Sequence, residues 1–193
     1  MPVSVITPPA VEPISLAEAK THLRVTTADE DSLIGMLITA ARVHLENDTG
    51  RRFITQTVET TADDFGDAVV LLEGPVQSVV SVTYYDEVGT LQTLSGANYG
   101  LDIESTPGYV LPKVGDAFPN TQNRANAVRV RYVAGYGTAG SNVPAPLRVA
   151  MLLMIGHLYE NREAVTQQNQ GATIEMPMGV AALCAPYRVL YVV

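Results

Sequence analysis

Asp29-Glu-Asp-Ser-Leu-Ile-Gly-Met-Leu-Ile-Thr-Ala-Ala-Arg-Val-His-Leu-Glu-Asn47 is the stretch that decides the architecture. Leu33, Met36, Leu37 and Ala40 recur at helical spacing as one apolar stripe, and Ile34, Ile38, Ala41 and Leu45 form a second. That pattern predicts a long helix with apolar side chains around most of its girth. Asp29, Glu30 and Asp31 stand where the positive end of the helix dipole favours carboxylates, and Gly50 stands where helices commonly end. Gly35, Thr39, Arg42 and Glu46 leave only a narrow polar strip. Such a helix is expected either in the centre of the fold or between copies of the chain, with Leu33, Ile34, Leu37, Ile38, Ala41 and Leu45 as candidate subunit-interface residues.

From Phe53 to Tyr136 the period changes to two. Strand formers fill Thr55 to Thr60, Ala68 to Leu72, Val76 to Tyr85, Tyr99 to Ile103 and Val128 to Val133. Glu73-Gly-Pro75, Asp86-Glu-Val-Gly89 and Thr106-Pro-Gly108 supply turn chemistry between them. Val128-Arg-Val-Arg-Tyr-Val133 alternates cleanly, its valines predicted inward and its arginines outward.

Helices are expected on both sides of this block. Ser15-Leu-Ala-Glu18 matches the capping box, in which serine and glutamate each satisfy a backbone N–H at a helix start, so a short helix is read to about Leu23. Gly135 to Pro144 reads as a linker, and Pro146 suits the first turn of a helix running to about Glu163. Leu147, Ala150, Met151, Met154, Ile155 and Leu158 recur at helical spacing there, the methionines as core fillers. The polar, Gln-rich run Ala164 to Thr173 reads as a mobile loop, and Pro177 to Pro186 as a last short helix held by Val180, Leu183 and Tyr187. The expected fold class is α+β: a helical body of about four helices from residues 1–52 and 137–193, with a mostly antiparallel β module inserted at 53–136.

The chain closes on Arg188-Val-Leu-Tyr-Val-Val193, in which the five residues after Arg188 bring no charged cap. Val189, Leu190, Tyr191, Val192 and Val193 favour strand and suit addition to the sheet edge of another chain, with Arg188 placed to pair with a carboxylate there. That points to assembly.

At 193 residues the chain allows one or two domains and can bury roughly 70% of the surface its unfolded form exposes. Hydrophobic residues make up 47% and charged residues only 17%, so some apolar surface is available for other chains. The net charge of −8 disfavours gripping a phosphate backbone, which needs clustered Lys and Arg. The single cysteine, Cys184, excludes an internal disulfide and fits a reducing compartment. The N-terminus lacks the basic and continuous apolar regions of a secretory signal, and the longest apolar run, Val149 to Ile155, is far short of the roughly 20 residues that span a bilayer.

Catalytic and ligand-binding patterns fare poorly. Gly135-Tyr-Gly137-Thr-Ala-Gly140 formally matches a dinucleotide fingerprint, but the next helix opens too late for its N-terminus to meet a pyrophosphate. His157 and Glu160 share a helical face with Asn161 nearby, and Glu18 and His22 lie one turn apart, yet neither pair has the further ligands a metal site needs. Asp63-Asp-Phe-Gly-Asp67 lacks the ligand alternation of a calcium loop. Ser15, Ser78, Ser81 and Ser141 occur in no nucleophile-elbow pattern. No catalytic residue, cofactor or metal is expected.

Several strings taken in order carry a resemblance: Glu12-Pro-Ile-Ser-Leu-Ala-Glu-Ala-Lys-Thr-His-Leu-Arg-Val25, Asp29-Glu-Asp-Ser-Leu33, Ala40-Ala-Arg42 with Glu46, and Thr49-Gly-Arg51. They continue with Gly74-Pro-Val-Gln-Ser-Val-Val-Ser-Val-Thr-Tyr84, Val128 to Tyr136, His157-Leu-Tyr-Glu-Asn-Arg-Glu163 and Ala185-Pro-Tyr-Arg-Val189. With these the chain resembles the tailed-phage head-tail connector (adaptor) family of the HK97 gp6-like kind, which gene transfer agents also use. The resemblance implies a structural protein made in the host cytoplasm and located at the virion head-tail junction. It implies a ring, usually of twelve copies, under the portal protein, through whose lumen DNA passes without specific binding, with stopper or tail-terminator proteins attached. It also implies that the tail Arg188 to Val193 reaches into the portal, and it brings no catalytic residue. The competing classes are another virion structural protein, such as a tail-tube or tail-completion component, and a metal- or nucleotide-dependent enzyme.

Overall fold

A computed structural model of the chain describes residues 3–161 and 178–189. It is an α+β fold in two compact units, one holding residues 3–10, 50–136 and 189, the other 11–49, 137–161 and 178–188.

The first unit is all β. β1 (Val3–Thr7), β2 (Gln56–Ala62), β4 (Val76–Tyr85), β5 (Leu91–Leu94) and β8 (Val128–Ala134) make a five-stranded sheet in the order β1-β2-β8-β4-β5. β3 (Val69–Leu71), β6 (Tyr99–Asp102) and β7 (Gly108–Pro112) make a three-stranded sheet in the order β3-β7-β6. Every ladder in both is antiparallel.

β8 lies at the centre because its alternation gives one wholly apolar face. Val128, Val130 and Tyr132 are fully buried while Arg129 and Arg131 face out, as the sequence predicts, but Val133 alternates with the arginines and is only half-buried instead of facing inward. The buried faces of the two sheets share one core, in which Val58, Val82, Val130 and Tyr132 meet Val69, Leu71 and Val110. Each such side chain contributes about 1.5–3 kcal/mol relative to exposure. The Tyr132 hydroxyl accepts from the Glu73 backbone N–H at 3.1 Å, satisfying a buried polar tip. Arg52 holds the Glu73 carboxylate, its Nη2 2.7 Å from Oε1.

Three strands escape the sequence pattern. β1 forms at the sheet edge with Ser4 to Thr7 all exposed, so pairing with β2 makes it a strand and no periodicity announces it. β5 is four residues long with three of them exposed. β7 is bracketed by Pro107, Gly108 and Pro112, residues that read as turn chemistry.

The second unit is helical: α1 (Leu16–Leu23), α2 (Asp31–Thr49), α3 (Ala145–Glu160) and α4 (Met178–Cys184). The capping box at Ser15 forms in full: the Glu18 N–H donates to Ser15 Oγ and Glu18 Oε2 accepts from the Ser15 N–H at 2.9 Å. Ile14, Ala19, Ile34, Ile38, Leu45, Leu147, Met151, Ile155 and Val180 are buried in this unit. Lys20 pairs with Asp31 at 2.5 Å, while Arg148 pairs with Glu18 and the Tyr159 hydroxyl donates to Glu30. α3 stops at Glu160, before the expected Glu163, where Asn161 Nδ2 donates to the His157 carbonyl at 2.9 Å and occupies a final backbone acceptor. Pro146 stands in the first turn of α3 as expected, and α4 falls within the expected last helix, with Val180 buried and Leu183 and Tyr187 half-buried. The expected loop Ala164 to Thr173 lies outside the described residues.

Candidate functional site

On α2 the two apolar stripes take different roles. Ile34, Ile38, Ala41 and Leu45 are at most 3% exposed and belong to the core of their own unit. Leu33 and Leu37 are half-buried at its margin. The outer face is formed by Met36, 64% exposed, with Ala40 and Val43. Val43 is an outward residue that the sequence reading missed.

The narrow polar strip explains this rotation. Arg42 and Glu46 are 7% and 1% exposed and face inward. Arg42 Nε donates to Glu12 Oε2 at 2.7 Å and its Nη1 to Glu46 Oε2 at 3.0 Å. Burial opposes the charge on Arg42, but the hydrogen bonds and charges of Glu12 and Glu46 outweigh it and hold the guanidinium above its ordinary pKa. The i,i+4 spacing of Arg42 and Glu46 was the available sequence signal. Glu12, thirty residues away, was not legible.

At the chain end, Arg188 clamps Asp48 of α2, its Nε 3.1 Å from Oδ2 and its Nη2 2.9 Å from Oδ1. The tail therefore leaves from an anchored point. Val189 is half-buried, and Leu190, Tyr191, Val192 and Val193 lie outside the described residues.

The chemistry candidates resolve into structure. Cys184 is buried, and burial, reinforced by the Asp48 charge and opposed by Arg188, pushes its thiol up to about 11, far from a thiolate at neutral pH. His157 Nδ1 lies 3.3 Å from Asn161 Nδ2, and among the described residues no group of three His, Cys, Asp or Glu side chains could hold a metal ion. A Cβ on Gly135 would stand 2.6 Å from the Ile54 carbonyl carbon, and one on Gly140 would strike the Pro13 backbone. These glycines permit close backbone approach within each unit, which accounts for their spacing. Asp63 accepts from the Asn126 N–H at 2.8 Å, and the loop it opens is pinned by the buried Phe65, stacked 4.5 Å from Phe118. Among the described residues no helix is long and apolar enough to cross a membrane.

Comparisons with known proteins give the same direction. A chain from the neck of an empty gene transfer agent particle, computed with C6 symmetry, has a TM-score of 0.78 at 25% identity, covering 100% of this chain and 98% of that one. A chain from the virion of a native gene transfer agent particle gives 0.77 at 23% identity, with the same two coverages. One from the neck of a native particle computed with C12 symmetry gives 0.70 at 23%, again with those coverages. No curated protein matches the chain. The family model described as head completion protein matches residues 12–193, and the chain therefore belongs to the head completion protein family.

Proposed function

We propose that this protein is a structural head-tail connector of a tailed phage or gene transfer agent, of the gp6-like kind. It sits in the neck as a ring of about twelve copies beneath the portal, passing DNA through its lumen and carrying stopper or tail proteins below. The observation that carries this reading is the family match over nearly the whole chain, and likeness along the full chain to a neck component at 25% identity supports it. The net charge of −8 suits a channel that must not hold DNA. The outer face of α2, with Met36 and Val43 flanked by the marginal Leu33 and Leu37, supplies packing between copies, and the tail that follows the Arg188 anchor, Val189 to Val193, docks on the portal by strand addition.

Purified protein mixed with portal-containing heads and imaged by cryo-EM is the direct test. Ring density beneath the portal is the expected result. Protein that binds tail tubes and leaves heads bare would overturn the reading in favour of a tail component.

A further inference from the structure

The β unit carries surfaces of opposite charge that the reading above leaves unused. On the outer face of the five-stranded sheet, the ladder sets Arg131 opposite Glu59 and Ser81, and Arg129 opposite Thr61 and Thr83. The two arginines are 42% and 44% exposed, with Glu59 2.9 Å from Arg131 and 4.0 Å from Arg129. One carboxylate against two guanidiniums leaves positive charge over. Arg124 adds more, its guanidinium 4.1 Å above the ring of Tyr85.

On the side of the three-stranded sheet the sign reverses. Asp102 ends β6, and Glu104 follows it, exposed. The pinned loop leading into β3 exposes Asp64 and Asp67, while Asp63 is held by the Asn126 N–H beside Thr61, at the end of the arginine face. Lys113 is the one cation between Ser95 and Asn123. Leu111, 38% exposed, stands on the outward face of this sheet with Asp102, whereas Leu101 shares the face of the buried Val110.

We propose that neighbouring copies meet through this module, the arginine face of one copy docking on the acidic three-stranded side of the next. The inference rests on the ring reading and specifies its contact. A closed ring of identical chains needs two different, mutually complementary patches on each subunit. Here the two sheets of one packed core present them, and complementary charge fixes orientation while like charge rejects the reversed pairing. With Glu59 already among the arginines, the face suits a protein carboxylate surface better than a phosphate backbone, which rewards unopposed Lys and Arg.

Two charge-reversed variants test this on portal-containing heads. Arg124→Glu with Arg129→Glu spares the Arg131–Glu59 pair. Asp64→Lys with Asp67→Lys and Glu104→Lys changes exposed side chains only. Each should melt within a few degrees of wild type, and neither alone should give ring density by cryo-EM. A 1:1 mixture should restore rings, because alternating copies regain opposite charge at every junction and twelve is even. Wild-type protein that forms no ring would sink the ring reading itself. Wild-type rings together with normal rings from either variant alone, or a mixture that fails to assemble, would overturn the flank contact. Normal rings from the arginine variant that lose packaged DNA would assign that face to DNA instead.

Discussion

Arg42 shows how a single side chain sets the orientation of a whole helix. Its two carboxylate partners come from α2 itself and from the segment before α1, so the guanidinium must face inward and Met36 must face out. Replacing it with methionine, which keeps the bulk, removes the guanidinium from the buried Glu46 carboxylate. The expected cost is about 3–5 kcal/mol, measured by urea unfolding, and Arg42→Met as stable as wild type would refute the role assigned to the network. Glu18 offers a pH test. The backbone and side-chain hydrogen bonds from Ser15 hold its carboxyl below the ordinary 4.5, with Arg148 adding to them. A carboxyl depressed on folding contributes stability that is complete above its unfolded pKa and is lost as pH falls through its folded value. Glu18→Gln should therefore lower the melting temperature at neutral pH, and its gap to wild type should close below about pH 4.5. A gap that stays constant across that range would remove the carboxylate from the account. The Ser15–Glu18 pair was legible because its partners are three residues apart, whereas Arg42–Glu12 joins residues thirty apart and leaves no local trace.

Among the elements, legibility follows the same division between local and long-range causes. β4 matches its expected bounds, and α2 lies within two residues of them, because periodicity and end signals are written into those segments. β1 has neither: it is a strand because β2 offers it an edge, and the Pro8-Pro9 that follows it reads only as a stop. On α2 two apolar stripes are visible in the sequence with no means of ranking them, since either could face the core. The structure ranks them, and the mutational expectation divides accordingly. Met36→Lys should leave unfolding free energy within about 0.5 kcal/mol of wild type while reducing ring occupancy on heads. Ile34→Asp should instead prevent stable folding by burying an unpaired charge. Met36→Lys giving wild-type rings would restrict α2 to a role inside its own subunit.

For the whole molecule, the least legible part is the chain end beyond Arg188. The composition of Val189 to Val193 says that the tail seeks cover, yet a terminal segment of this kind can dock internally as readily as on a partner. Deleting residues 189–193 separates the two. The truncated protein should fold normally, because Arg188 and its clamp on Asp48 remain, and should no longer sediment with portal-containing heads. Undiminished head binding would remove the docking role, and loss of cooperative unfolding would show the tail to be part of the fold. The buried Cys184, the sole thiol in the chain, has a practical consequence for every such experiment. With its thiol pushed up to about 11, it should react with a maleimide only after denaturation, so the native chain behaves as a cysteine-free background. A cysteine introduced at Met36, at Arg129 or at Asp64 would then be the one labelled position in each subunit. Fluorescent pairs placed there could report distances between adjacent copies without any native thiol being removed.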